Sequence, residues 1–124
     1  AFAMSAGLHP EHRADCERSG LSLETILDAK IHSVPPDRIN KVLGRNAPID
    51  SLLAFPYPGN DFTRYKLFPP LTNKEGHAQK YHQAKNSPIR LYGPPGFRCW
   101  EPIWRITEGE KKALKGTQEG LNVL

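Results

Sequence analysis

The first third of the chain spaces its hydrophobic residues as short helices do, with capping residues between them. Pro10 suits the first turn of a helix, Glu11 favours its positive end, and Ser19-Gly20 marks a stop. Ser22 can cap a second helix running to Ala29, with Leu23, Ile26 and Leu27 on one apolar face. Ile31 to Val34 reads as a short extended piece. Pro35-Pro36-Asp37 then leads into a brief third helix carrying Ile39, Val42 and Leu43, which Gly44 ends. Residues 1–48 are expected to form a small helical cap with limited chemistry of its own.

From Ile49 the pattern changes to strands and turns. Leu52 to Tyr57 and Phe62 to Phe68 flank the turn signal Pro58-Gly59-Asn60-Asp61, which predicts a β-hairpin. Alternation puts Phe62, Arg64 and Lys66 on one face of the second strand, and Thr63, Tyr65 and Leu67 on the other. Leu71 to Ala78 reads as polar loop, Gln79 to Gln83 and Ile89 to Tyr92 as further short strands, and Gly93-Pro94-Pro95-Gly96 as a rigid turn. The last segment reads as a βαβ unit: a strand over Pro102 to Thr107, a helix over Glu110 to Glu119, and an apolar strand beginning at Leu121. A parallel strand with nothing following suggests a fragment. The expected fold class is α+β, with a helical cap over 1–48, a basic antiparallel β region over 49–100, and the first βαβ of an α/β sheet over 101–124, all within one compact unit.

Composition narrows the class. The chain of 124 residues is 38% apolar and 24% charged, which describes a globular chain rather than a disordered one. Twelve prolines argue against a simple helix bundle and for short elements joined by rigid turns. No apolar run approaches the roughly 20 residues of a membrane helix. Ala1-Phe2-Ala3-Met4 lacks the regions of a secretion signal, and Met4 reads as a natural start behind a vector remnant. Two cysteines, Cys16 and Cys99, give no disulfide framework. The cytoplasm is therefore the expected location.

The net charge of +4 is concentrated. Between Phe62 and Trp100, Arg64, Lys66, Lys74, Lys80, Lys85, Arg90 and Arg98 stand against one acid, Glu75. These cations are interleaved with Phe62, Tyr65, Phe68, Tyr81, Tyr92 and Phe97. Cations neutralise phosphates and release counterions, while exposed rings stack on unpaired bases. Most strand aromatics pack inward, so the rings are expected in the core, whereas Arg64, Lys66 and Lys80 are read as phosphate contacts. The strand–Glu108–Gly109–helix corner is the most specific feature. A carboxylate at the carboxyl end of a parallel strand sits where open α/β sheets bind ligands, and it can bind a divalent cation or shuttle a proton. The plainer reading is a glutamate that interacts with the helix dipole. His9, His12 and Cys16 lie at helical spacing but match no structural zinc pattern, so surface or packing roles are expected of them. Cys99 has no obvious partner as a nucleophile, and His77 and His82 read as loop or strand-surface residues.

The run Ile106-Thr107-Glu108-Gly109-Glu110-Lys111-Lys112-Ala113-Leu114 resembles the opening of a Toprim domain, the metal-binding fold of DnaG-type primases and topoisomerases. More closely, the chain resembles the Toprim-like family of plasmid and phage replication proteins, a domain of unknown function. The match runs in order through Ser19-Gly20-Leu21-Ser22, Ala54-Phe55-Pro56-Tyr57, Arg64-Tyr65-Lys66, Lys80-Tyr81, Leu91-Tyr92-Gly93-Pro94-Pro95 and the Glu108 corner. Asn86-Ser87-Pro88 follows Lys80-Tyr81 at a longer gap than in the primases. The resemblance implies that Glu108 is the catalytic and metal-binding acid of an intact nucleotidyltransferase using Mg2+ or Mn2+, with no cofactor for this piece alone. It also implies that Arg64, Lys66, Lys80, Tyr81, Lys85 and Arg90 hold template or nucleotide. The implied partners are single-stranded DNA or RNA, nucleotides and a fused or associated helicase, with no membrane. The family's later Asp-x-Asp pair is missing from this sequence, and Lys111 and Lys112 stand where many members carry an acid. A non-catalytic adaptor of a replication complex is the competing expectation.

Overall fold

The computed structural model describes residues 8–59 and 61–124. The signal-peptide and start-site readings of residues 1–4, and Asn60 of the hairpin turn, lie outside the described residues. Four helices and four strands follow one another: α1 (Pro10–Arg18), α2 (Leu23–Asp28), β1 (His32–Ser33), α3 (Ile39–Leu43), β2 (Ser51–Pro56), β3 (Thr63–Thr72), β4 (Ala78–His82) and α4 (Glu110–Gln118). A 3-10 turn over Pro36–Arg38 leads into α3. The strands form one antiparallel sheet in the order β1-β2-β3-β4, so the fold is α+β.

Local chemistry sets the helix ends. The Ser22 hydroxyl accepts from the Thr25 amide and caps α2. Gly44 closes α3 at φ 75°, a left-handed conformation natural to glycine. The predicted hairpin is present as β2 and β3, paired from Ser51↔Phe68 to Pro56↔Thr63. β3 runs further than the hairpin pattern indicates, to Thr72. Its pairing with β4 shifts register between Lys66 and Leu71, across Pro69-Pro70, which cannot donate to the ladder.

β2 is buried on both faces, and two cores flank it. On one face Leu53, Phe55 and Phe68 pack with Cys16, Leu21 and Ile26 from the first helices and with Ala113, Leu114 and Val123 from the last segment. On the other, Leu52, Ala54 and Leu67 pack with Val34 and Ile39, beside Val42 and Leu43. The first core thus draws on all three stretches of the chain.

Three expectations change. Ile89 to Tyr92 is not a strand; it runs extended without a ladder partner, because Pro88 and Pro94 bracket it. Of the strand expected over Pro102 to Thr107, one parallel bridge forms, Arg105↔Val123, extended by hydrogen bonds from Thr107 N to Leu124 O and from Arg105 N to Asn122 O. The α4 crossover is therefore a minimal βαβ arrangement with no further strand beside it among the described residues. On α2, Ile26 alone is buried, while Leu27 faces solvent.

Candidate nucleic-acid interface

α1 buries a face that is almost wholly polar: His12, Asp15 and Cys16, at i, i+3 and i+4. This face lies over the side of β3 that carries Arg64 and Lys66. Asp15 Oδ1 accepts from Lys66 Nζ at 2.6 Å and Oδ2 from Lys111 Nζ at 2.8 Å, with Arg18 at 3.3 Å on the outer side. Burial alone would raise the Asp15 carboxyl, but hydrogen bonds from Lys111 and Lys66 outweigh it and hold its pKa below 3.8. Burial pushes the Lys66 ammonium down even with Asp15 beside it. One carboxylate therefore ties α1, β3 and α4 together.

A second carboxylate does the same one helical residue earlier. Glu110, in the first turn of α4, is buried and accepts from Tyr57 Oη at 2.9 Å and from Arg64 Nη1 at 3.3 Å. Burial, then the Glu110 charge, raises the Tyr57 phenol, so it stays a donor at any ordinary pH. The Arg64 guanidinium also lies 4.3 Å above the Tyr81 ring centre, and the Arg90 guanidinium 4.6 Å above Phe62.

Glu108 behaves differently. Its side chain is 78% exposed and pairs with Lys112 one turn along α4. Together with Tyr57, Arg64, Arg90, Tyr92 and Glu110 it lines an open cleft of about 220 Å³ between α4 and the 89–92 segment. Gly109 is the N-cap, but its backbone is extended, at φ −163°, and an added Cβ would meet nothing within 4 Å. The expectation that glycine is needed for a sharp turn here is corrected: the chain enters α4 through an ordinary extended N-cap.

The structure brings Arg64, Arg90 and Glu108 to one cleft and Tyr81 against Arg64. Lys66 sits with Asp15, its side chain 18% exposed, while Lys80 and Lys85 are exposed on β4 and the loop after it. Of the aromatic residues, Phe55, Tyr57, Phe68 and Tyr92 are in the core. Asp15, Glu110 and Lys111 were not legible as site residues, although the spacing of His12, Asp15 and Cys16 traces one helical face. What hid that face was its polarity.

His12 is buried between two hydroxyls, with Nδ1 2.7 Å from Ser33 Oγ and Nε2 2.8 Å from Ser51 Oγ. Ser33 Oγ already accepts from the His9 amide, so its own hydrogen suits donation to Nδ1, leaving Nε2–H to donate to Ser51. Burial chiefly, then the His9 charge, lowers its pKa to about 4. Burial likewise pushes the Cys16 thiol up to about 11, so neither is a poised metal ligand. No group of three or more His, Cys, Asp or Glu side chains suited to a metal occurs among the described residues. Glu108 offers one carboxylate, and Glu110 and Asp15 are committed to cations. These residues do not by themselves fit a Mg2+ or Mn2+ centre. No described helix is long and apolar enough to cross a membrane. Comparison with protein families, with curated proteins and with solved structures finds no match for the chain.

Proposed function

We propose that this chain is the single-strand-binding portion of a primase-like Toprim replication protein of the cytoplasm. The observation that supports the reading is the cleft beside α4, where an outward carboxylate, Glu108, shares one wall with Arg64 and Arg90. Exposed Lys80 and Lys85 add cations that no described acid neutralises at the surface. Such cations attract phosphates without reading sequence, so affinity is modest and falls as salt displaces the strand. In this reading Arg64 orders the cleft through Glu110 and Tyr81, and Lys66 braces the sheet against α1. Nucleotidyl transfer belongs to the intact protein, because the metal ligands it needs are not supplied by this chain's described residues.

The test is fluorescence anisotropy with single-stranded DNA and RNA oligomers over a salt series. Weak binding with a steep salt dependence is expected, and Lys80→Ala with Lys85→Ala should reduce the logarithmic slope by about 0.7 per lost phosphate contact. Affinity that stays flat as salt rises overturns the proposal, as does magnesium-dependent primer synthesis by this chain alone.

A second reading, a non-catalytic adaptor of a replication complex, is favoured by one observation. Trp100, Ile103, Trp104 and Ile106 are all exposed along and beside the Arg105–Val123 pair, an apolar cluster of the kind protein interfaces cover. A pull-down recovering protein without nucleic acid would favour it.

A further inference from the structure

The cleft beside α4 contains two buried polar atoms without a hydrogen-bond partner among the described residues, Tyr92 Oη and Arg64 Nε. Tyr92 is 5% exposed and packs edge-on against Tyr57 at 5.0 Å, so its hydroxyl is held in place and shielded from bulk water. A buried phenol without a partner is unfavourable, and it marks a place where a ligand's polar edge would be stabilising. The cleft's volume, about 220 Å³, is below the range typical of drug-sized ligands and leaves room for a single flat ring system.

Charge decides which kind of ring. Arg64 and Arg90 are matched in the cleft by Glu108 and Glu110, and Glu110 already holds Arg64. A phosphate seated inside would meet two carboxylates, whereas a neutral heterocycle would not. The rim supplies the rest: Ile89 is 98% exposed and Leu91 is also exposed, giving apolar surface beside the polar cleft.

We propose that this cleft takes one unpaired nucleobase of a bound single strand, with Tyr92 Oη and Arg64 Nε meeting its polar edge and Ile89 and Leu91 covering its faces. The inference rests on the single-strand reading above and names the group that its cleft recognises. The strand's phosphates stay outside, on the exposed cations.

The experiment compares a short oligothymidylate with an abasic oligomer of the same length, using the full chain. The wild-type protein is expected to bind the base-bearing oligomer about tenfold more tightly, the size of one base contact. Tyr92→Phe keeps the ring and removes the hydroxyl. It should weaken binding of the base-bearing oligomer about three- to tenfold, leave abasic binding unchanged, and keep or raise the melting temperature. Equal wild-type affinity for the two oligomers, or a Tyr92→Phe loss shared by both, overturns the base cleft while leaving the phosphate-binding surface intact. Saturable binding of thymidine monophosphate tighter than that of the oligomer would reassign the cleft to free nucleotides and overturn the strand-base assignment. Failure of both oligomers to bind overturns the single-strand reading and the cleft with it.

Discussion

Acidifying the protein from pH 7 to pH 4 is expected to remove about 3 kcal/mol of folding stability through His12 alone. The imidazole is fully buried, and burial, with the charges of His9 and Lys66 against it and Asp15 for it, lowers its pKa from 6.5 to about 4. Above 6.5 both folded and unfolded chains hold it neutral, so it contributes no pH dependence. Below 6.5 the unfolded chain takes up a proton that the folded chain refuses until about pH 4. Stability therefore falls as pH drops through that window, by about 1.4 kcal/mol per pH unit at most. Asp15 acts lower down. Its carboxyl is held below 3.8, so the stability it contributes is present above that value and is lost as pH falls through its folded pKa. His82, which burial also lowers, adds to the upper window, and a variant separates the two. Urea unfolding at stepped pH should show wild type losing more stability between pH 7 and pH 4 than His12→Gln, by about 3 kcal/mol, since glutamine cannot titrate. Parallel curves for the two proteins, or an imidazole resonance of His12 titrating near pH 6.5, would refute the reasoning.

Two further outcomes follow from packing. Asp15→Asn should cost about 3 kcal/mol in chemical denaturation, because it leaves Lys66 and Lys111, each 18% exposed at the side chain, facing one another without an acid; adding Lys66→Met should restore part of the loss. Gly116→Ala would normally favour a helix, but its Cβ would lie 2.7 Å from Val123 Cγ2. A lower melting temperature, by about 1–2 kcal/mol equivalent, is expected, with faster amide exchange at Arg105 and Leu124, where the terminal pair depends on that close approach.

Much of the fold was legible in short-range signals. The caps at Ser22 and Gly44, the hairpin around Pro58-Gly59 and the helix after Gly109 all rest on chemistry within a few residues. The alternation that puts Arg64 and Lys66 on one face of β3 was equally readable, because side-chain direction in a strand has period two. What covers that face was not readable. The pairs Asp15–Lys66 and Asp15–Lys111 are separated by 51 and 96 residues, and Arg64–Glu110 by 46. No local pattern signals such a meeting, and α1 concealed its inward face because the residues on it are polar.

The chain by itself determined where helices and strands begin and which β3 residues share a face, since caps, turns and alternation act over a few bonds. The tertiary structure alone decided that Arg64 and Lys66 are engaged by acids from α4 and α1 while Glu108 points outward beside them. Those choices depend on how helices distant in sequence pack on one sheet, where charge burial is tolerated only if a partner of opposite sign arrives from elsewhere.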